Sequence, residues 1–217
     1  MRPERPVPAA DVCPVLHALY RVRHRWGRLT LCVVALQIAC SSPATPAEPD
    51  LTFREKLERL TWVAYAPTGF DPGRGLFPSE AAIRADLRLL ADHGFDGVIT
   101  FAADGTLAAI PRIAREIGYH GVVMGLFLFD AAQRAVEVPS AIAAAAFVDG
   151  YGIGNEGLIG CGGTLYPREV LLAVMDEVRS ATGKPVTTAE QIEDYLDGGC
   201  LDGFLLEHGD WLFPIVH

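Results

Sequence analysis

The chain has 217 residues, half of them hydrophobic, which allows one substantial core or at most two small ones. Its formal net charge is −9, yet residues 1–28 hold six arginines against Glu4 and Asp11, so the remainder carries −13. A body this acidic repels phosphate backbones, which argues against nucleic acid as a partner.

The basic start ends in "RVRHRWGR" (21–28), followed by the apolar run "LTLCVVALQIA" (29–39) and then Cys40. A positive segment, eleven apolar residues and a small residue before the cut describe a secretory signal. The run is too short to span a bilayer, which needs about 20 residues. Cys40 after Ala39 resembles a bacterial lipoprotein box, whose cysteine is lipidated, although Gln37 stands where an aliphatic residue is usual. The alternative is a start codon set too far upstream. Residues 41–50, "SSPATPAEPD", are rich in Pro, Ala and Ser and form a tether. The expected organisation is a leader over 1–40, a tether over 41–50 and a folded body over 51–217. The only membrane attachment this implies is a lipid on Cys40, and the body is expected to be a monomer.

Within the body, apolar runs alternate with helical patterns. Strands are expected at residues 61–66, 97–101, 121–129, 148–154, 185–189 and 211–216. Most are continuous apolar runs, as strands buried on both faces must be. Ser79 can cap a helix over 80–93, with Ile83, Leu87 and Leu90 on one face and Gly94 as its stop. Residues 106–118 are helical, with Pro111 expected to kink or delay the helix. A shorter, alanine-rich helix is expected over 139–147, and Asp130 reads as a cap. Pro167 opens a helix along Val170, Leu171, Val174, Met175 and Val178, closed by Gly183. The segment between the fifth and sixth strands has no clear pattern.

Repeated strand–helix units leave two architectures, an open doubly wound sheet or a (β/α)8 barrel. No GxGxxG opens a helix after the first strand, and the glycines of "GYGIGNEG" (150–157) lie within a strand. Eight units need about 250 residues. The fold class expected is therefore α/β, an incomplete (β/α)8 barrel with six of the eight units.

Chemistry in such barrels sits at the carboxyl ends of the strands. Polar groups recur there: Tyr65, Thr100, Asp130, Asn155 with Glu156, Thr188 with Glu190, and His217. Glu156 stands out. A carboxyl half-enclosed by apolar strand walls has its neutral form favoured, which suits a general acid. Asn155 can hydrogen-bond a sugar hydroxyl beside the reacting carbon. Of the cysteines, Cys161 and Cys200 remain in the body, either as a disulfide or as two small buried apolar residues. The six histidines show no ligand spacing, so neither metal nor cofactor is expected.

Five segments, "YAPTGFDP" (65–72), "VITFAADGTLAAIPRIAREIG" (98–118), "VDGYGIGNEGL" (148–158), "LYPREVLLAVMDEVRSATGKPVTTAE" (165–190) and "GDWLFPIVH" (209–217), together resemble glycoside hydrolase family 17. That family is β-1,3-glucanase-like and belongs to a clan of retaining barrels. The resemblance implies an exported hydrolase or transglycosylase acting on β-glucan. It implies Glu156 as general acid/base and Asn155 as its sugar-contacting neighbour, with Tyr65, Glu190 and His217 at cleft positions. Phe101 stands where the family often has Tyr, and "GLFLFD" (125–130) lacks a Trp common there. The family's nucleophile lies at the end of a seventh strand, and no residue here matches it, so the chain is expected to be a fragment or a truncated homologue. Two other readings stand beside this one: a non-catalytic, membrane-tethered glycan-binding protein, and an unrelated exported barrel enzyme using Glu156 with Glu190.

Overall fold

The computed structural model describes residues 51–216; the expected leader, the tether, Cys40 and His217 lie outside the described residues. Six strands form one parallel sheet: β1 (Trp62–Ala64), β2 (Gly97–Ile99), β3 (Gly121–Leu126), β4 (Gly150–Asn155), β5 (Val186–Gln191) and β6 (Phe213–Ile215). They are hydrogen-bonded in chain order, one to six, without reversal. A doubly wound sheet must reverse its order at a switch point. Winding in one direction instead curls the sheet into an incomplete (β/α)8 barrel.

Helices α1 (Phe53–Arg59), α2 (Glu80–Asp92), α3 (Ile110–Ile117), α4 (Ala131–Ala143), α5 (Arg168–Thr182) and α6 (Phe204–Glu207) precede or link the strands. Ser79 caps α2 by accepting from the Ala82 amide, and Ile83 and Leu87 on its inner face are fully buried. Burial of each such side chain contributes roughly 2 kcal/mol. Pro111 does delay its helix: a 3-10 segment, Gly105–Ala109, runs first and the proline falls in the first turn of α3. Helix α4 differs from expectation, starting at Ala131 rather than at Pro139. Asp130 Oδ1 accepts from the Gln133 amide and nucleates the helix eight residues earlier, leaving Pro139 inside it.

The outer face of the sheet packs against the helices in two apolar clusters. One joins β1–β3 to α2 and α3; the other joins β3–β5 to α4 and α5. The inner face combines glycines with aromatic rings. A Cβ on Gly97 or Gly121 would come within 2.5 Å of the Trp62 ring, and one on Gly150 within 2.6 Å of Phe53. Phe53 in turn meets Trp211 edge-on at 5.4 Å, and Trp211 stacks with Phe213 at 5.3 Å. Helix α1, held by a Thr52–Glu55 capping box, thus covers the amino-terminal end of the sheet. Asp149 pins that end: it accepts from Lys56 Nζ at 2.8 Å, Arg115 at 2.5 Å and the Val122 amide at 2.8 Å. Among the described residues no helix is long and apolar enough to cross a membrane.

Candidate active site

The carboxyl ends of the strands are left open. Along β4, Tyr151 and Ile153 point outward into the helix layer, while Gly152 faces inward beneath Phe213. The register with β5 then slips: Gly152 pairs with Thr187, but Asn155 pairs with Ala189. The extra residue is a bulge. Gly154 absorbs it at φ +78°, which turns Asn155 back to the inner face. There it lines a recess with Phe101, Gly125, Gly152, Ala189 and Phe213.

Glu156 follows immediately. It is the only non-glycine among the described residues with a positive φ, at +45°. For an L-residue this conformation costs roughly 1–2 kcal/mol and persists only where its surroundings hold it. Contacts among the described residues do so here. The Glu156 amide donates to the Ala189 carbonyl at 2.9 Å, Gln191 Nε2 donates to Glu156 Oε1 at 3.2 Å, and the flanking glycines rest on Tyr166. Glu156 as a residue is half-buried. Phe101 and Phe129 are exposed nearby in chain topology, at the ends of β2 and β3, and Phe127 and Phe129 stack at 6.3 Å.

Glu190 and Tyr65 lie elsewhere, and His217 is outside the described residues. Glu190 is fully buried on the outer face of β5, opposite in direction to Ala189 and Gln191, and accepts from Tyr166 Oη at 2.9 Å. Burial pushes its carboxyl up to about 7, against the lowering effect of that hydrogen bond. Tyr65 shares the outer face of β1 with Val63 and donates to Asp86 of α2 at 3.2 Å. Burial, reinforced by Asp86, keeps its phenol protonated. Tyr65 lines a separate small recess with Pro67, Phe70 and Leu107, bordered also by Phe101. The structure therefore joins Asn155 and Glu156 in one place, and puts Glu190 and Tyr65 behind the sheet. Glu156 and Glu190 do not share an open cleft.

Three residues at or beneath the site carried no assignment in the sequence: Gln191, Tyr166 and Glu137. Strand alternation would have found Gln191, had β5 been extended past residue 189. Glu137 is fully buried in α4 and accepts from the Ala103 amide at 2.6 Å and the Phe127 amide at 3.3 Å, so it ties together the segments that follow β2 and β3. Desolvation pushes its carboxyl up to about 7. Cys161 and Cys200 form a disulfide that links the loop after β4 to the segment after β5. Asp194 lies beside them with ligand-like spacing, but both sulfurs are committed to the disulfide.

Fold and site together define a parallel half-barrel of the (β/α)8 type with a strained glutamate at the carboxyl end of its fourth strand. No family model matches the chain, and no match is found among curated proteins. Among solved structures it is similar to a glycoside hydrolase family 17 beta-1,3-glucanosyltransferase from Rhizomucor miehei. The TM-score is 0.47 and the identity 17%, covering 60% of this chain and 49% of that one. The chain thus spans about half the length of that structure.

Proposed function

We propose that the protein is an exported glycan-active hydrolase or transglycosylase acting on β-glucan, β-1,3-linked, with Glu156 as its acid/base. The observation that carries this reading is the held, left-handed Glu156, half-exposed beside Asn155 at the end of β4. A protonated Glu156 would give its proton to the glycosidic oxygen as the bond to the anomeric carbon breaks. The resulting carboxylate would then take a proton from water or from an acceptor sugar hydroxyl. Asn155 would bond a hydroxyl on the adjacent carbon, and exposed Phe101 would offer a face to a sugar ring. A retaining mechanism also needs a nucleophilic carboxylate about 5–5.5 Å from the acid. Glu190 does not supply it, because its carboxyl is buried against Tyr166. In this reading the leader directs export and Cys40 carries the lipid.

The test is sugar release from laminarin by the full chain, alongside binding of laminari-oligosaccharides by calorimetry. Glu156→Gln is expected to lower turnover by about 10²–10⁴-fold while binding persists. Turnover unaffected by that substitution would overturn the assignment. A second reading, glycan binding without hydrolysis, is favoured by the exposed Phe101 and Phe129. It predicts binding with no sugar released.

A further inference from the structure

Beneath the Glu156 turn lies a buried pair of polar side chains that the proposed chemistry does not use. Tyr166, 1% exposed, stands at the end of the loop that follows Glu156. Its hydroxyl donates to Glu190 Oε1 at 2.9 Å and accepts from the Gly157 amide at 3.3 Å. The turn is shaped around this ring. A Cβ on Gly154 would lie 2.3 Å from the Tyr166 oxygen, and one on Gly157 would lie 2.5 Å from its Cε1. The residues on either side of the Glu156 turn are therefore glycines seated on one phenol. The same loop folds back on itself: Leu165 and Tyr166 amides both donate to the Gly157 carbonyl, and the Ile159 amide donates to the Tyr166 carbonyl.

Glu190 completes the arrangement. Its Oε2 is buried without a hydrogen-bond partner, and the amides of Gly157 and Leu158 face its carboxyl. A fully buried carboxyl is costly to ionise unless hydrogen-bonding neighbours compensate the charge. The neighbours here are the two amides that directly follow Glu156.

We propose that Tyr166 and Glu190 are positioning residues, a phenol–carboxylate clamp that holds Glu156 in its left-handed conformation and so aims its carboxyl. As a statement about aim toward a glycosidic oxygen, this rests on the reading of Glu156 as the acid; as a statement about conformation, it does not. The clamp is also graded by protonation. Glu190 carries its proton up to about pH 7 because burial outweighs the hydrogen bond from Tyr166. The titratable groups facing it are Tyr166 from the loop after β4, and Asp194 and Tyr195 from the 3-10 segment Ile192–Tyr195 after β5. Above that pH the carboxylate draws the Gly157 and Leu158 amides more strongly, so the turn tightens.

The test uses the full chain as wild type, Tyr166→Phe, Glu190→Gln and the double variant. Two NMR measurements read the turn itself: exchange of the Gly157 amide relative to its intrinsic rate, and the carboxyl-carbon titration of Glu156. Tyr166→Phe is expected to speed Gly157 exchange at least about tenfold and to move the Glu156 titration, with α2 amides unchanged. In the wild type, Gly157 protection should rise through about pH 7, and in Glu190→Gln that rise should vanish. On laminari-oligosaccharides, Tyr166→Phe should lower kcat by roughly ten- to a hundredfold, as a misplaced catalytic group does, with KM within about twofold. Glu190→Gln, which keeps the shape of the side chain, carries the test if Tyr166→Phe does not fold. Unchanged Gly157 exchange and Glu156 titration in the folded variants would overturn the clamp. So would a uniform loss of protection across the whole body, which marks a purely structural role. If the wild type itself releases no sugar, the acid/base reading falls, while exchange and titration still decide the clamp.

Discussion

Replacing Glu137 by Gln should remove a large part of the pH dependence of folding stability. The carboxyl is fully buried, and desolvation raises it from an ordinary 4.5 to about 7 in spite of the amides of Ala103 and Phe127. Between those two values the unfolded chain has released the proton and the folded chain still holds it. Stability therefore falls as pH rises through this window, and levels off above about 7. At 1.36 kcal/mol per pH unit, the loss is on the order of 3 kcal/mol. A glutamine does not titrate, and its Oε1 can accept from the Ala103 amide as the acid does. Glu137→Gln should thus resemble the wild type near pH 5 and exceed it by about 3 kcal/mol near pH 8. Urea unfolding of the two proteins at pH 5, 6, 7 and 8 measures this directly. Glu190, raised to about 7 by the same cause, contributes its own decline in both proteins, so only the difference between the curves is diagnostic. Parallel curves would mean that Glu137 titrates normally, and that the tie between the segments after β2 and β3 is not a buried carboxyl.

The other predictions concern backbone and covalent constraints. A Cβ on Gly125 would meet the Thr100 carbonyl oxygen at 2.1 Å and the Phe101 Cα at 2.7 Å, both backbone, whereas one on Gly152 would meet only the Phe213 ring at 3.6 Å. Gly125→Ala should cost about 3 kcal/mol and Gly152→Ala less than about 1, and the reverse ranking by thermal melts would contradict the inner-face packing. Removing the Cys161–Cys200 disulfide, which spans a separation of 39 residues, should cost about 2–4 kcal/mol; a denaturation midpoint indifferent to reductant would refute its presence. Glu156→Gly relieves the left-handed backbone at φ +45° and should raise stability by up to about 1 kcal/mol, and, on the proposed reading of Glu156, remove the acid/base. A loss above about 1 kcal/mol would show that the contacts of the Glu156 side chain outweigh its strain.

The alternation of strands and helices was legible because parallel strands covered on both faces read as unbroken apolar runs, and because Ser79, Pro111, Pro167 and Gly183 punctuate the helices. Periodicity alone says nothing about which strand neighbours which; the barrel expectation supplied the order, and the unreversed sequence from β1 to β6 agrees with it. Pro139 has the look of a first-turn proline, but Asp130 starts helix α4 at Ala131. A helix beginning there places Glu137 on the same buried face as Val138 and Ala141, a position that a start at Pro139 leaves out.

The site was harder to read for a reason intrinsic to strands. A residue at a strand's carboxyl end belongs to the open face or to the helix layer according to parity, and one residue of error exchanges the two. Stopping β5 at residue 189 left Glu190 as a loop residue free to face the cleft; continuing the strand to Gln191 sends Glu190 outward to Tyr166 and brings Gln191 to Glu156. Tyr65 follows the same logic on β1, sharing a face with Val63 rather than with Trp62. On β4 the parity is broken by Gly154, whose bulge returns Asn155 to the inner face and leaves Glu156 with a positive φ. A motif fixes spacing along the chain, so it located Asn155 and Glu156 at the strand tip. The direction of each side chain was set by a bulge and a phenol ten residues downstream, neither of which a linear pattern encodes.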